Sequence, residues 1–275
     1  MHLVGAPCQA VVMTTEPLQA PAPSTVAAQA IDLHKTYGTG DSLVRALDGV
    51  SLDLVKGEFT AIMGPSGSGK STLMHCLAAL DNPTSGKVII GSTDLSRLKD
   101  KALTALRRDQ IGFVFQAFNL IPTLSARENI LLPLNLAGRK PDDGWFDTVI
   151  DTVGLRDRLA HRPAEMSGGQ QQRVACARAL VSKPAIVFAD EPTGNLDSTS
   201  SAEVLSFLRR TVDDFGQTVV MVTHDAVAAS YSDRVVILAD GRLVDEIRSP
   251  DREQIVEHMT ALQAAQVAAA QGEAG

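Results

Sequence analysis

The 275-residue sequence predicts an α/β fold in which helices cover a mainly parallel β-sheet. Three observations support this prediction. Short apolar strands alternate with helical segments, a glycine-rich turn leads from one strand into a helix, and another strand ends in two adjacent carboxylates. Apolar residues make up 44% of the chain, which is enough for a substantial core. We therefore expect one main folded unit.

The order of strand signals divides this unit into parts. The first two strands alternate apolar and polar residues, as half-exposed antiparallel strands do, and predict an antiparallel β-subdomain. Helical spacing dominates from 117 to 182 and predicts an inserted helical subdomain. Asp240-Gly241 predicts a tight hairpin between the last two strands. The predicted strands are 31–35, 50–54, 59–63, 111–115, 185–189, 218–223, 235–238 and 242–247.

The two ends of the chain differ in composition from its centre. Residues 1–29 are rich in alanine and proline, contain no Lys or Arg, and predict a disordered tail rather than a secretory signal. Met13 is an alternative start. The folded domain is expected over 30–248. A helix with an Ala/Gln-rich tail is expected over 249–275, with Ile255, Met259 and Leu262 on one face.

The charge and the cysteines exclude several classes of function. Lys+Arg 25 against Asp+Glu 32 gives a net charge of −7, whereas a non-specific nucleic-acid binder needs a basic surplus. No uninterrupted apolar run approaches the roughly 20 residues that span a bilayer. The three cysteines, Cys8, Cys76 and Cys176, have neither zinc-site nor disulfide-framework spacing, which favours a reducing compartment.

The glycine-rich turn matches G-x-x-x-x-G-K-[ST] between the strand 59–63 and a helix predicted over 71–80. Its glycines let successive backbone N–H groups surround a phosphate. Lys70 is placed to contact the β- and γ-phosphates, and the Ser71 hydroxyl to ligate Mg²⁺. The strand–loop–helix context disfavours the alternative, a flexible Gly/Ser loop. This phosphate loop consists of Gly64, Pro65, Ser66, Gly67, Ser68, Gly69, Lys70, Ser71 and Thr72.

The strand 185–189 leads into Asp190 and Glu191. Asp190 is placed to hold Mg²⁺. Glu191 is placed to orient the attacking water or to accept its proton. Taken alone, the pair would be read as the solvated end of a buried strand. Together with the phosphate loop it predicts a site for nucleotide hydrolysis.

A second anion site is predicted where Ser167, Gly168, Gly169 and Gln170 open a helix over 170–181. We call these four residues the signature segment. One chain rarely needs two γ-phosphate sites for one nucleotide, so this segment is expected to serve the ATP of another subunit. The alternative is an ordinary glycine-rich helix start.

In order and spacing, these motifs resemble the ATPase subunits of ABC transporters over roughly 30–248. The resemblance implies an ABC-type P-loop NTPase core that uses ATP and Mg²⁺. It also implies a homodimer that holds ATP between the phosphate loop of one subunit and the signature segment of the other. The expected partner is a separate transmembrane permease. The subunit is expected at the cytoplasmic face of the membrane, touching the membrane only through that permease.

The resemblance further assigns four residues. Tyr37 would stack on adenine, although a strand-end tyrosine is the alternative. Gln116 would reach Mg²⁺ and the attacking water. Asp197, in Asn195-Leu196-Asp197, would cross the dimer interface. His224 would contact the γ-phosphate, although a lone histidine is more often structural.

Two segments, 113–130 and 191–198, resemble the branch of the family that contains macrolide exporters and lipoprotein-releasing ATPases. This implies export, or extraction from the membrane, of a hydrophobic compound, a peptide or a lipoprotein. Four apolar residues after Gln116 are expected to receive a short permease helix, unless they are core residues. They are Phe118, Leu120, Ile121 and Leu124.

Other members of the same fold remain as alternatives. A division-associated ATPase would signal through its permease to cell-wall hydrolases without transport. DNA-repair and chromosome ATPases carry long coiled-coil or zinc insertions, for which the gap between Gln116 and Ser167 is too short. Soluble translation-type relatives have two cassettes in one chain, and this sequence shows one.

Overall fold

The computed structural model describes residues 25–272. Strand β1 begins at Val26, four residues before the predicted domain start at 30. The remainder of the predicted tail, residues 1–24 with Met13, lies outside the described residues, as do residues 273–275. Within the described part, no helix is both long and apolar enough to cross a membrane.

The chain forms ten strands and eight α-helices over the described residues. The strands are β1 (Val26–Tyr37), β2 (Val44–Val55), β3 (Phe59–Met63), β4 (Ser85–Ile90), β5 (Thr93–Asp94), β6 (Ile111–Phe115), β7 (Ile186–Asp190), β8 (Val219–Val222), β9 (Arg234–Ala239) and β10 (Arg242–Arg248). The helices are α1 (Lys70–Leu77), α2 (Asp100–Gln110), α3 (Ala126–Leu136), α4 (Asp143–Val153), α5 (Gly168–Leu180), α6 (Ser198–Phe215), α7 (Ala226–Ala229) and α8 (Arg252–Gly272).

The larger sheet has six strands in the order β10-β9-β3-β8-β7-β6. Strands β9, β3, β8, β7 and β6 are parallel, and β10 returns antiparallel to β9. Strands β3 and β8 are buried along their whole length, which explains their continuous apolar sequences. The predicted α/β fold is confirmed, and the phosphate loop and the acidic pair follow parallel strands at the same edge of this sheet.

The smaller sheet is antiparallel, with the order β2-β1-β4-β5. It confirms the antiparallel subdomain that the alternation of the first two strands predicts. Strands β4 and β5 were not predicted, because β5 has two residues and three of the six residues in β4 are exposed. Their signal is therefore too short to read from the sequence.

Helix α1 ends at Leu77, three residues before the predicted end. The reason is local, because Ala79 adopts φ = 57°, in the left-handed region that cannot continue a right-handed helix. The chain then turns toward Asp81, near the end of β1. In the hairpin before β10, Asp240 and Gly241 have φ values of 48° and 74°. These values confirm the predicted tight turn.

Between β6 and β7 the described chain contains helices and turns but no strands, as expected for a helical subdomain. Buried side chains from α3, α4 and α5 form one core with the large sheet. Of the apolar residues after Gln116, Leu120 packs against this core. Phe118 and Leu124 are half-buried, whereas Ile121 is 38% exposed. Ile121 is thus the best placed of the four to contact a partner.

Helix α8 lies against the same core. Ile255 is buried, and Met259 and Leu262 pack on the core from the same helix face. Helix α8 also contacts α7, which follows His224 in the sequence. The C-terminal helix is therefore an integral part of the domain at least as far as Leu262.

A buried ion cluster joins the two sheets. Arg234 of β9, whose side chain is only 8% exposed, donates from Nη2 to Glu246 Oε2 at 2.7 Å. Its Nη1 donates to the backbone carbonyl of Asp53 in β2 at 2.8 Å and lies 3.7 Å from Glu58. Arg248 also contacts Glu246, at 2.9 Å. Because Arg234 serves acceptors on both sheets, it holds them in a fixed relation.

We expect Arg234→Ala to lower the free energy of unfolding by about 3 kcal/mol, because it leaves Glu246 and Glu58 partly buried with less compensating charge. Urea denaturation followed by circular dichroism measures this. The matched control is Arg252→Ala, since Arg252 is exposed and makes no ion pair within the described residues. Equal stability of the two variants would contradict the proposed role of the cluster.

Candidate active site

At two of its glycines, the phosphate loop lies so close to the backbone of neighbouring strands that no side chain would fit. A Cβ on Gly64 would lie 1.9 Å from the carbonyl oxygen of Leu238 in β9. A Cβ on Gly69 would lie 2.2 Å from that of Ala46 in β2. Both glycines also have positive φ, 149° and 100°. Gly67 has no atom within 4 Å of its Cβ position, so this part of the loop faces open space.

Lys70, the first residue of α1, folds its side chain over the loop. Its Nζ donates to the carbonyl oxygens of Gly64 at 2.9 Å and Pro65 at 2.7 Å. Burial lowers the pKa of this ammonium, and the nearby charges of Glu191 and Asp190 oppose the shift. A charged phosphate oxygen is a stronger hydrogen-bond acceptor than a backbone carbonyl. A bound phosphate can therefore replace these carbonyls as the acceptor of the Lys70 ammonium.

The other polar loop residues differ in their surroundings. Ser66 and Ser71 are exposed, and Thr72 contacts the Tyr37 hydroxyl. Ser68 is 4% exposed, and its hydroxyl has no hydrogen-bond partner among the described residues. The loop thus presents Ser66 and Ser71 to solvent and Thr72 to the end of β1.

Asp190 ends β7 beside the start of α1. Burial raises the pKa of the Asp190 carboxyl; the Glu191 charge adds to this, and a hydrogen bond from Ser71 opposes it. Ser71 and Asp190 together offer hard oxygen donors, the chemistry that Mg²⁺ prefers. No cluster of three or more His, Cys, Asp or Glu side chains suited to a metal occurs within 25–272. The donor set therefore fits a Mg²⁺ ion that also binds phosphate oxygens, and not an all-protein metal cage.

Glu191 is held in a strained backbone conformation next to His224. Its φ is 45°, a left-handed value that costs a non-glycine residue about 1–3 kcal/mol and clusters at functional sites. Its N–H donates to the Val222 carbonyl at 2.9 Å. Its Oε1 lies 2.7 Å from His224 Nδ1, and Thr223 Oγ1 donates to its Oε2 at 3.3 Å. The structure thus brings together two predicted catalytic residues that lie 33 positions apart in the sequence.

The His224 side chain is 75% exposed, whereas Glu191 is 20% exposed. Among the described residues, the second ring nitrogen of His224 has no partner. The histidine therefore holds the carboxylate with one nitrogen and presents the other to any ligand above the sheet edge.

Gln116 follows β6 directly and contacts the segment after β7. Its Nε2 donates to Asn195 Oδ1 at 3.2 Å, and Asn195 Nδ2 donates back to the Gln116 carbonyl at 3.1 Å. A Cβ on Gly194 would lie 2.7 Å from Gln116 Nε2, so a side chain at position 194 would displace the Gln116 amide from this contact. The amide of Gln116 is thus tied to the chain between Glu191 and Asp197.

The signature segment forms a capped helix start. Ser167 Oγ accepts from the Gln170 N–H at 3.3 Å, and Gln170 Oε1 accepts from the Ser167 N–H at 3.0 Å. A Cβ on Gly169 would lie 2.6 Å from the Ser200 hydroxyl of α6. Asp197 caps α6 by accepting from the Ser200 N–H at 3.0 Å, a bond that also lowers the pKa of Asp197. The first turns of α5 and α6 are therefore in close contact.

Gly168 lies near Leu196 and Phe118, each 3.6 Å from its Cβ position. No hydrogen bond or ion pair within 25–272 joins the signature segment to the phosphate loop. The two predicted anion sites therefore make no polar contact with each other in the described part of the chain.

Tyr37 ends β1 with its side chain 43% exposed. Its hydroxyl donates to Asp81 Oδ2 at 2.8 Å. It is therefore a tethered strand-end tyrosine with part of its ring open to a ligand.

Sequence reasoning missed two polar residues of α5 that connect parts of the site. Gln172 is fully buried, and its Nε2 donates to the carbonyls of Phe115 at 3.1 Å and Pro192 at 2.6 Å. Arg178 donates to the carbonyls of Asn119 at 2.6 Å and Phe118 at 2.9 Å. For Gln172, the sequence did contain an indication of burial. It lies on the same helix face as the buried residues Cys176 and Ala179, so it is a polar residue within an apolar stripe.

Comparison with known proteins gives consistent matches. The sequence pattern of the family described as ABC transporter matches residues 47–194. The chain is 49% identical to the lipoprotein-releasing system ATP-binding protein LolD of Geobacter metallireducens, over 78% of this chain and 97% of that protein. It is 46% identical to the macrolide export ATP-binding/permease protein MacB of Chlorobaculum tepidum, over 80% of this chain but 34% of that protein.

Among solved structures, the fold is similar to the dimeric post-hydrolysis ATP-binding cassette MJ0796 bound to ADP and Pi. The TM-score is 0.73 at 41% identity, covering 82% of this chain and 99% of that one. The likeness thus extends over the whole of that cassette.

We expect Gln172→Leu to lower the free energy of unfolding by about 1–3 kcal/mol, because it removes the donor from two backbone carbonyls near the site. It should also lower the rate of ATP hydrolysis, since Phe115 and Pro192 adjoin Gln116 and Glu191. Denaturation and phosphate release measure the two effects. The control is Gln171→Leu, whose side chain bonds only to the Met166 carbonyl. A Gln172→Leu protein with the turnover of the control would contradict the connecting role.

Proposed function

Because this chain belongs to the ABC transporter family as an ATP-binding, ATP-hydrolysing subunit, we propose that two copies enclose two ATP molecules and drive a separate membrane permease. The observation that carries the proposal is the presence in one chain of two anion sites that share no hydrogen bond or ion pair among the described residues. A second copy would bring its signature segment to the nucleotide bound at the phosphate loop of the first. The dimeric form of the MJ0796 cassette supports this arrangement.

In the proposed dimer, the phosphate loop of one copy faces the signature segment of the other. Because the capping box uses the N–H groups of Ser167 and Gln170, the backbone N–H groups of Gly168 and Gly169 and the positive end of α5 would bind the γ-phosphate. Asp197 lies beside them at the start of α6, where it would reach the partner copy. Tyr37 supplies the stacking surface for adenine. Each nucleotide would then contact Tyr37 and the phosphate loop of one copy, and the signature segment and Asp197 of the other.

For hydrolysis, Glu191 orients a water molecule and accepts its proton as the water oxygen attacks the γ-phosphorus. The bond to the bridging oxygen breaks, and its electron pair leaves with ADP. His224 Nδ1 lies 2.7 Å from the Glu191 carboxylate. In the doubly protonated ring both nitrogens are donors, so Nδ1 would hold the carboxylate while the second nitrogen donates to the γ-phosphate. Lys70 and the loop N–H groups stabilise the negative charge on the phosphates. The strained backbone of Glu191 fits a residue placed for chemistry.

Ser71, Asp190 and Gln116 are the residues that would hold Mg²⁺. The ion would neutralise charge on the β- and γ-phosphate oxygens. Because Gln116 is bonded to Asn195, it would also connect this position to the segment that leads to Asp197.

The proposed cargo follows from the branch of the family. The relatives named for lipoprotein release and macrolide export support export, or extraction from the membrane, of a hydrophobic compound, a peptide or a lipoprotein. They favour transport over the signalling alternative. The subunit would act at the cytoplasmic face of the membrane and contact it only through the permease. Phe118, Ile121 and Leu124 form the proposed docking surface for a permease helix.

We expect Glu191→Gln to retain ATP binding and lower turnover by about 100-fold or more, because the proton acceptor is lost. It should accumulate as an ATP-bound dimer. Lys70→Ala should instead lose ATP affinity. Phosphate release and size-exclusion chromatography with and without ATP distinguish the two. Glu257→Gln, on the exposed face of α8, is the matched control. Near-normal turnover of Glu191→Gln would overturn the assignment.

We expect Ile121→Glu to uncouple transport while ATP hydrolysis by the isolated subunit survives, because a charge on the docking surface disfavours an apolar contact. Co-purification with the permease and transport in reconstituted vesicles measure the loss. Val256→Glu, at a similarly exposed apolar position on α8, is the control. A fall in the ATPase activity of the isolated Ile121→Glu subunit would count against docking.

A further inference from the structure

A compact polar cluster surrounds the Tyr37 side chain. Lys35 and Tyr37 are two residues apart in β1, and both of their side chains reach Asp81. Lys35 Nζ donates to Asp81 Oδ1 at 2.6 Å and to the Asn82 carbonyl at 2.7 Å. Tyr37 Oη donates to Asp81 Oδ2 at 2.8 Å. Both carboxylate oxygens of Asp81 are therefore used, one for the ammonium and one for the phenol.

The protonation states agree with this geometry. For Asp81, partial burial acts to raise the pKa, but the hydrogen bonds from Lys35 and Tyr37 outweigh it, and the pKa is lowered. For Lys35, burial acts to lower the pKa, but Asp81 outweighs it, and the pKa is raised. Burial and Asp81 together raise the pKa of Tyr37. Near neutral pH the cluster contains one anion, one cation and a neutral phenol.

The two faces of the Tyr37 ring are not equivalent. Lys35 Nζ lies over one face, 4.9 Å from the ring centroid. No other cation or aromatic ring of the described residues stacks on Tyr37. Tyr37 is 43% exposed, and because Lys35 lies over one face of its ring, we expect a planar ligand to stack on the other face.

Asp81 also connects the ring to the phosphate loop. It follows α1, and its N–H donates to the carbonyl of His75 in that helix at 3.2 Å. Thr72, in the first turn of the same helix, contacts the Tyr37 hydroxyl. Thr72 in α1 and Asp81, four residues after the end of α1, thus both contact Tyr37. Lys70, the first residue of the same helix, belongs to the phosphate loop. A ring held in this way has a fixed position relative to the phosphates.

We propose that Asp81 is a positioning residue for nucleotide binding, which holds the Tyr37 ring so that its face away from Lys35 receives the base of the nucleoside triphosphate. The inference rests on the proposed function, in which Tyr37 stacks on adenine. Asp81 acts through Tyr37 and does not touch the nucleotide itself. Because every base can stack through its face, this arrangement raises the affinity for a nucleoside triphosphate over that for a bare polyphosphate. It discriminates little between different bases. A purely structural ion pair between Asp81 and Lys35 is the competing explanation.

The test compares MgATP with magnesium tripolyphosphate, a probe that carries the phosphates without a base. We expect Tyr37→Phe and Asp81→Ala each to raise the dissociation constant of MgATP about 3- to 10-fold, because an untethered ring must be ordered on binding. The affinity for tripolyphosphate should not change. Tyr37→Phe and Asp81→Ala remove the same Tyr37–Asp81 hydrogen bond, so their effects should not add. The variant that carries both changes should therefore bind MgATP as tightly as the single variant with the larger loss of affinity. Isothermal titration calorimetry measures all of these constants.

Two outcomes would overturn the inference. In the first, Asp81→Ala lowers the affinities for tripolyphosphate and for MgATP by the same factor. In the second, the increase in the MgATP dissociation constant of the double variant equals the product of the increases in the two single variants. Tyr37→Phe removes one partly exposed hydroxyl, so it remains a folded test even where Asp81→Ala does not fold. The exposed Asp157→Ala is the control for loss of a carboxylate.

Tyr37→Leu separates this inference from the proposed function. Loss of the ring should weaken MgATP binding about 5- to 100-fold. If Tyr37→Leu has no effect, the stacking role of Tyr37 fails, and the inference fails with it. If Tyr37→Leu weakens binding while Tyr37→Phe and Asp81→Ala do not, the stacking role stands and only the positioning role of Asp81 is excluded.

Discussion

The site depends on the parallel hydrogen bonding of three adjacent strands, β3, β8 and β7. Ile62 pairs with Val222, and Val222 pairs with Asp190, so the three strands end at the same edge. The bond from the Glu191 N–H to the Val222 carbonyl continues this pairing one residue beyond the strand. It holds Glu191 in its left-handed conformation and places its carboxylate against His224. A shift of one residue in this register would turn these side chains to the opposite face of the sheet.

Helix α5 links the helical subdomain to that edge. Its first turn is the signature segment, and Gln172, further along the helix, donates to the last residue of β6 and to Pro192, two residues after β7. Arg178, near its other end, holds the chain that carries Phe118 and Asn119. A displacement of α5 would therefore act on the proposed docking surface, the Gln116 segment and the Glu191 turn together. This connection fits the proposed coupling of ATP hydrolysis to movement of a permease.

Much of this was predictable because its signals are local. The phosphate loop is a contiguous motif, and β3 and β6 were predicted with the bounds that the structure shows. The hairpin at Asp240 needs only two residues that tolerate positive φ. The end of α1 could not be predicted in this way, because Ala79 has no strong local preference for the left-handed conformation that ends the helix. The short, largely exposed strands β4 and β5 gave too little periodicity to read.

By itself, the sequence determined which residue types stand at the ends of strands and helices, and hence the α/β class and the nucleotide chemistry. Only the tertiary structure decided which of them touch. It pairs Glu191 with His224, Gln116 with Asn195, and Tyr37 with Asp81. These contacts join residues 33 to 79 positions apart. They depend on strand order and helix packing, which no local periodicity specifies, because the energy that selects them arises only when the whole core is buried.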